Sequence, residues 1–223
     1  MPGMVNAMRW IIALTALLLA GCIPSGRDEP PSNDYRPPQA QPPAGREATL
    51  QCHLDLAREG VQFRALPDRR FENGCTAIGA IQLTDVGVPT TNITAMTCPV
   101  ARQYARWLRE AVQPAASQIL GTTVTRVETF GTYACRSVNS QPGARISEHG
   151  YANAIDISAF TLGNGRRISV VDGWHGDDER VRRFLRAIHR AGCQRFAVGL
   201  GPDSDRAHYN HLHFDMGSRG TCR

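Results

Sequence analysis

Ser147-Glu148-His149-Gly150-Tyr151-Ala152-Asn153-Ala154-Ile155-Asp156 is the stretch on which the chain turns, read together with His211-Leu212-His213 near its end. The first stretch sets a His and an Asp seven positions apart, and the second sets two His with one residue between them. In Ala154-Ile155-Asp156-Ile157-Ser158 the acid is flanked by apolar residues, which reads as a strand turning one polar group inward. A buried carboxylate needs a strong partner. His-Leu-His-Phe-Asp, 211–215, alternates as a strand does, so His211 and His213 share a face roughly 6.5–7 Å apart. Two imidazoles and one carboxylate are ligands that zinc accepts, and a catalytic zinc keeps its fourth position for water. His149, Asp156 and His213 are the expected metal ligands, with His211 acting beside the ion. A lone His-x-His on a strand is an ordinary surface or packing pair. The expectation rests on both fragments lying in short, Gly-flanked segments that read as strand ends. Asp215 reads as a partner of a neighbouring His, and Glu148 as a solvated acid or a helper.

Ser-x-His-x-x-x-x-x-x-Asp followed by His-x-His resembles the zinc peptidases that cut peptidoglycan stem peptides, the LAS-type D,D-carboxypeptidases and murein endopeptidases. Residues 52–223 resemble more closely the bacterial extensin-like C-terminal domain family. The matching pieces are Tyr133-Ala134-Cys135-Arg136, Ser147-Glu148-His149, Asn153-Ala154-Ile155-Asp156, Phe184-Leu185-Arg186, Leu200-Gly201-Pro202-Asp203 and the run from His208 to Asp215. The resemblance implies an α+β fold, a small antiparallel sheet flanked by helices, in the manner of LAS-type zinc peptidases. It implies Zn2+ as cofactor and peptidoglycan stem peptides as partners. It also implies that Arg136 contacts the substrate and the developing oxyanion, with Arg145 in reserve. A guanidinium fork suits both roles. One departure stands out. The family's usual Gly after His-x-x is Ala152 here, and a backbone needing positive φ at that point would be strained.

Outside this domain the chain reads as a delivery device. Residues 1–21 read as a lipoprotein signal peptide: Arg9, then an apolar run over 10–20, then Leu19-Ala20-Gly21-Cys22. The run is short of the roughly 20 residues that a membrane span needs. Lipidation at Cys22 would anchor the chain to the membrane, and Ile23 after it suits the outer membrane and its periplasmic face. Residues 22–47 read as a Pro-rich tether, with Pro-Pro at 30–31, 37–38 and 42–43. The domain proper, 48–223, is long enough for one core. It holds Cys52, Cys75, Cys98, Cys135, Cys193 and Cys222, an even set that reads as three disulfides in an oxidising compartment. No Cys-x-x-Cys pair points to a zinc–cysteine cluster.

Coarse patterning places a helix and loop over 52–75, a strand over 77–83 and the strongest helix over 98–120, kinked or restarted at Pro114 and ended by Gly121. A strand over 123–130 continues through 132–136. Strands 157–162 and 166–171 flank the turn Gly163-Asn164-Gly165. Trp174 reads as packing, and a second helix over 177–191 buries Val181, Phe184, Leu185 and Ile188. Strand 196–200 and the His208 loop lead into the last strand. His208 itself is placed at the margin of the site.

The net charge of +5 and pI of about 9.0 admit nucleic acid as a partner, but no nucleic-acid motif is present and the export signal removes it. Basic charge on an exported chain favours anionic envelope polymers. The expectation is a monomeric zinc peptidase of the bacterial envelope. The alternative is a non-catalytic wall-binding lipoprotein that keeps the fold.

Overall fold

A computed structural model describes residues 45–218 and 220–223. The expected signal peptide, the lipidated Cys22 and nearly all of the tether lie outside the described residues. The elements run α1 (Arg46–Arg58), β1 (Gln62–Ala65), β2 (Arg69–Arg70), β3 (Thr76–Ala77), β4 (Ala80–Asp85), β5 (Met96–Thr97), α2 (Cys98–Trp107), α3 (Gln113–Ala115), β6 (Val124–Gly131), β7 (Ala154–Leu162), β8 (Arg167–Ser169), α4 (Val170–Gly173), α5 (Glu179–Cys193), β9 (Val198–Leu200), β10 (Leu212–Asp215) and β11 (Thr221–Cys222). The class is α+β. A six-stranded sheet in the order β11-β9-β10-β7-β6, with β8 also on β7, is antiparallel except where β11 meets β9. Two small antiparallel sheets, β1-β4-β5 and β2-β3, accompany it.

One face of the main sheet is the core. Leu212 and Phe214 on β10 and Ile155 and Ile157 on β7 are fully buried there. Trp107 from α2 packs on Phe160 and Phe214, and its indole N–H donates to the Ile188 carbonyl at 2.8 Å. The expected stripe of α5, Val181, Phe184, Leu185 and Ile188, is buried as its spacing requires. Gly192 lets α5 close on the sheet: a Cβ there would lie 2.3 Å from the Phe214 ring.

The expected long helix runs without a break through Pro114. It does so by widening into π-helical turns at Leu108–Val112 and Ala116–Leu120, on either side of α3. Proline offers no N–H to the ladder, and a π-turn absorbs the resulting change of register. Gly121, at φ 72°, ends the helix.

Four expectations need correction. The first helix begins at Arg46 rather than 52, and buries only Leu56 among its residues, so it shows no apolar stripe in the sequence. The strand placed over 77–83 is two strands, parted at Gly79, whose φ is 58°. Residues 132–136 do not continue β6. They leave the sheet after Gly131 and run extended against the His149 turn. Strand 166–171 stops at Ser169, because the Ser169 hydroxyl accepts the Asp172 N–H and caps α4.

Three disulfides form: Cys52–Cys98, Cys75–Cys135 and Cys193–Cys222. The first staples α1 to the start of α2. Beside it, Glu59 accepts hydrogen bonds from Arg102 at 3.0 Å and Arg106 at 2.6 Å. The Arg106 hydrogen bond leads in pulling the Glu59 carboxyl down to about 2. A depressed carboxyl stabilises the fold above its unfolded value and loses that contribution as pH falls through the folded value. Stability to urea should therefore fall as pH drops from about 4.5 towards 2. Glu59→Gln should cost on the order of 1–2 kcal/mol at pH 7 and flatten part of that slope. An unchanged slope would remove this cluster from the account.

Candidate metal centre

The pairing of β10 with β7 builds half of the centre. His213 stands directly opposite Asp156, so both point to the face away from the core. Asp215, two residues further along β10, joins them. Two bulges lie just beyond Asp156 where β6 meets β7. Ser158 is the extra residue between the pairs Glu128↔Ala159 and Thr129↔Ile157, and Phe130 the extra one between Thr129↔Ile157 and Gly131↔Asp156. Bulges re-aim side chains, and here one of them turns the exposed Phe130 edge-on to His211, with ring centroids 5.6 Å apart.

The other half is a single turn, Glu148–Tyr151, capped by the Ser147 hydroxyl accepting the His149 N–H. The extended 132–137 segment clamps it. Ala134 N–H donates to the His149 carbonyl at 3.2 Å, and Ser147 N–H to the Arg136 carbonyl at 3.0 Å. Gly150 is required for close approach, since a Cβ there would lie 2.5 Å from Ile146 and 3.0 Å from Cys75 Sγ. Ala152 ends the turn at φ 54° and ψ 28° with no exposed surface, so the strain expected for a non-glycine residue is present. That conformation costs roughly 1–2 kcal/mol. Ala152→Gly removes the strain but also a buried methyl worth about 0.8 kcal/mol, so it should leave the unfolding midpoint within about 1 kcal/mol of wild type. Ala152→Val, branched and overpacked, should cost more than about 3 kcal/mol. Equal midpoints for the two variants would contradict this reading.

The three expected ligands converge. His149 Nε2 lies 3.1 Å from Asp156 Oδ2 and 3.2 Å from His213 Nδ1, and His213 Nδ1 lies 2.8 Å from Asp156 Oδ1. All three residues are buried. The far nitrogens decide the tautomers. His149 Nδ1 donates to the Thr132 carbonyl at 3.2 Å, and His213 Nε2 donates to Asp215 Oδ2 at 2.8 Å. Each ring thus turns an acceptor nitrogen towards the other and towards Asp156. Two facing lone pairs repel unless a proton or a cation lies between them. Ligand atoms 2.0–2.1 Å from a tetrahedral ion sit roughly 3.3 Å apart, close to the separations found here. The donor set fits a divalent cation, and the Asp215–His213 contact is the outer carboxylate that such histidines use. A second cluster, His189 with Cys193 and Cys222, lacks free thiolates because its cysteines are joined.

Burial opposes the Asp156 carboxylate, yet its contacts with the His149, His211 and His213 rings hold it well below the usual range. Burial opposes a charged His213 too, but Asp156 and Asp215 raise it to about 9, so a cation held at Nδ1 would displace a proton from it.

The expected helpers separate. His211 is in place, with Nε2 3.4 Å from Asp156 Oδ1 and Nδ1 2.9 Å from Asn210 Oδ1. Arg136, partly exposed, has its guanidinium 3.9 Å from Asp156 Oδ2. Arg145 lies instead beside Glu148, at 3.9 Å. Glu148 accepts the Asn153 amide at 2.7 Å and forms no hydrogen bond or ion pair with His149, Asp156 or His213 among the described residues. His208 is more central than its position before the last strand suggests. It is buried, its ring stands 5.1 Å from that of His211 and 5.5 Å from that of His213, and its Nδ1 bonds Asp205 at 2.8 Å. The spacing His208-x-x-His211-x-His213 carries that signal, but the chain folds back after Pro202 in a way no local periodicity announces. Trp174 packs as expected, buried beneath the Arg186 guanidinium at 4.6 Å.

A family model described as Extensin-like protein C-terminus matches residues 50–223. No curated protein and no solved structure matches the chain significantly.

Proposed function

The chain belongs to the family described as Extensin-like protein C-terminus, and within it we propose that this member is a zinc-dependent peptidase acting on peptidoglycan stem peptides or cross-links. The observation that carries the reading is the convergence of His149 Nε2, Asp156 and His213 Nδ1 beside two further histidines that are not needed as ligands. A site with three protein ligands and a separate proton-handling group suits hydrolysis better than a purely structural ion, which takes four. The likeness to LAS-type peptidases supports the substrate class. The leader, Cys22 and the Pro-rich tether support a lipid-anchored place at the outer membrane, facing the wall.

Zinc, when bound, supplies a Lewis acid for the scissile carbonyl and a water that ionises near neutrality. The chain's own residues do the rest. His211 donates an Nδ1–H hydrogen bond to Asn210 Oδ1 and keeps Nε2 as a base on the Asp156 side, where a proton can be taken from water and returned to the leaving amine. His208, oriented through Nδ1 by Asp205, is a second proton-handling group at the same edge. Arg136 offers its fork to the tetrahedral oxyanion or to a substrate carboxylate.

Equilibrium dialysis of the chain against buffered zinc tests the first link, with one zinc per chain expected. Asp215→Ala should weaken zinc about 10–100-fold by freeing the His213 ring, and Asp215→Asn should fall between that variant and wild type. Affinity unchanged by either substitution would place the ion elsewhere, and no bound zinc would overturn the proposal.

A further inference from the structure

A groove of about 280 Å³ opens beside His211 and runs across β6, β7 and β8 on the outer face of the sheet. Its near end touches the candidate site, because Phe130 and Asn210 both line it and both contact His211. Its floor includes Ser158, the bulge residue two positions after Asp156. Two of its walls are apolar and uncovered: Phe130 is 58% exposed and Val171 46% exposed.

The groove carries an uneven charge. Arg167 is taken up by Glu128 through two hydrogen bonds of 2.8 and 2.7 Å, so those charges offset one another. The Asp172 carboxylate accepts from the Ser169 hydroxyl and makes no ion pair within 4.0 Å among the described residues. Glu128, Arg167 and Asp172 together leave the groove with a net charge of −1.

Resting on the peptidase reading, we infer that this groove receives a substrate arm consisting of an aliphatic chain that ends in a free primary amine. The methylenes lie along Phe130 and Val171, and the ammonium sits against Asp172. Arg136, which does not line the groove, holds the anionic part of the substrate, so the two ends are told apart by charge.

The test is binding by calorimetry to the zinc-loaded His211→Ala chain, which removes turnover. The ligands are stem tetrapeptides with a diamino acid at the third position, alike except that one carries an acetyl group on the side-chain amine. Acetylation should weaken binding about fivefold. Asp172→Asn, which keeps the Ser169 contact, should weaken the free-amine ligand by the same factor and erase the difference between the two. Phe130→Ala should weaken both alike. Equal binding of the two ligands, binding of neither, or discrimination that survives Asp172→Asn overturns the inference. Discrimination without any cleavage by wild type would keep the groove as a binding site and remove the peptidase reading instead.

Discussion

His213→Ala is expected to abolish both zinc binding and cleavage, the largest functional loss of any single substitution in this chain. The variant removes one ligand outright and leaves Asp156 and Asp215 facing one another without the ring that joins them. Losing one of three protein ligands should weaken zinc by at least about a thousandfold, below what survives dialysis. His211→Ala should behave differently. It keeps all three ligands, so zinc stays at one per chain, while turnover falls about 10²–10⁴-fold through loss of the proton-transfer group. The split between the two variants is the informative result, measured by metal analysis and turnover on the same samples. If His211→Ala lost metal as completely as His213→Ala, the division into ligand and proton carrier would fail.

The second large effect concerns the Cys75–Cys135 disulfide, and it should appear in stability and metal affinity together. This bond closes the longest loop of the three, with a sequence separation of 60 residues. Removing a native disulfide of this kind costs about 2–5 kcal/mol. Its position adds a second consequence. Cys135 lies within the 132–137 segment whose carbonyl at Thr132 takes the His149 Nδ1 proton and whose backbone clamps the His149 turn. Cys75 Sγ packs against Gly150 in the same turn. Cys75→Ser with Cys135→Ser should therefore lower the midpoint of unfolding and also weaken zinc by about tenfold or more. The pair Cys193→Ser with Cys222→Ser, remote from His149, should lower stability while leaving zinc affinity near wild type. Equal loss of metal in both double variants would show a global effect and no role for the clamp.

The parts of this molecule legible in its sequence are those with a strong local signal. The amphipathic stripe of α5, the glycine that ends the long helix and the Gly163-Asn164-Gly165 hairpin turn each follow from neighbours in the chain. Asp156 and His213 were legible as strand residues by the same alternation, although β-pairing sets them opposite one another on the face away from the core rather than inward. What was not legible depends on tertiary contacts. The 132–136 segment has strand composition but leaves the sheet to hold the His149 turn, so its hydrogen bonds go to a partner more than ten residues away. The helix α1 has almost no buried face and is secured by a disulfide and an arginine–glutamate cluster instead. His208 reaches the centre through a loop with no period to read. The strain at Ala152 was legible only because a resemblance marked that position as one where glycine is usual.

Mass-spectrometric product analysis of purified muropeptides incubated with the wild-type chain tests the proposed activity most directly. Samples would be zinc-loaded, stripped with a chelator, and restored with zinc. The expected result is hydrolysis of one amide bond in the stem peptide or cross-link, a gain of one water in mass, lost on stripping and recovered with zinc. Unchanged muropeptides in a sample that demonstrably carries one zinc would contradict the proposed activity and leave a wall-binding module with a metal site. Cleavage that persists after zinc is removed would contradict the metal centre itself.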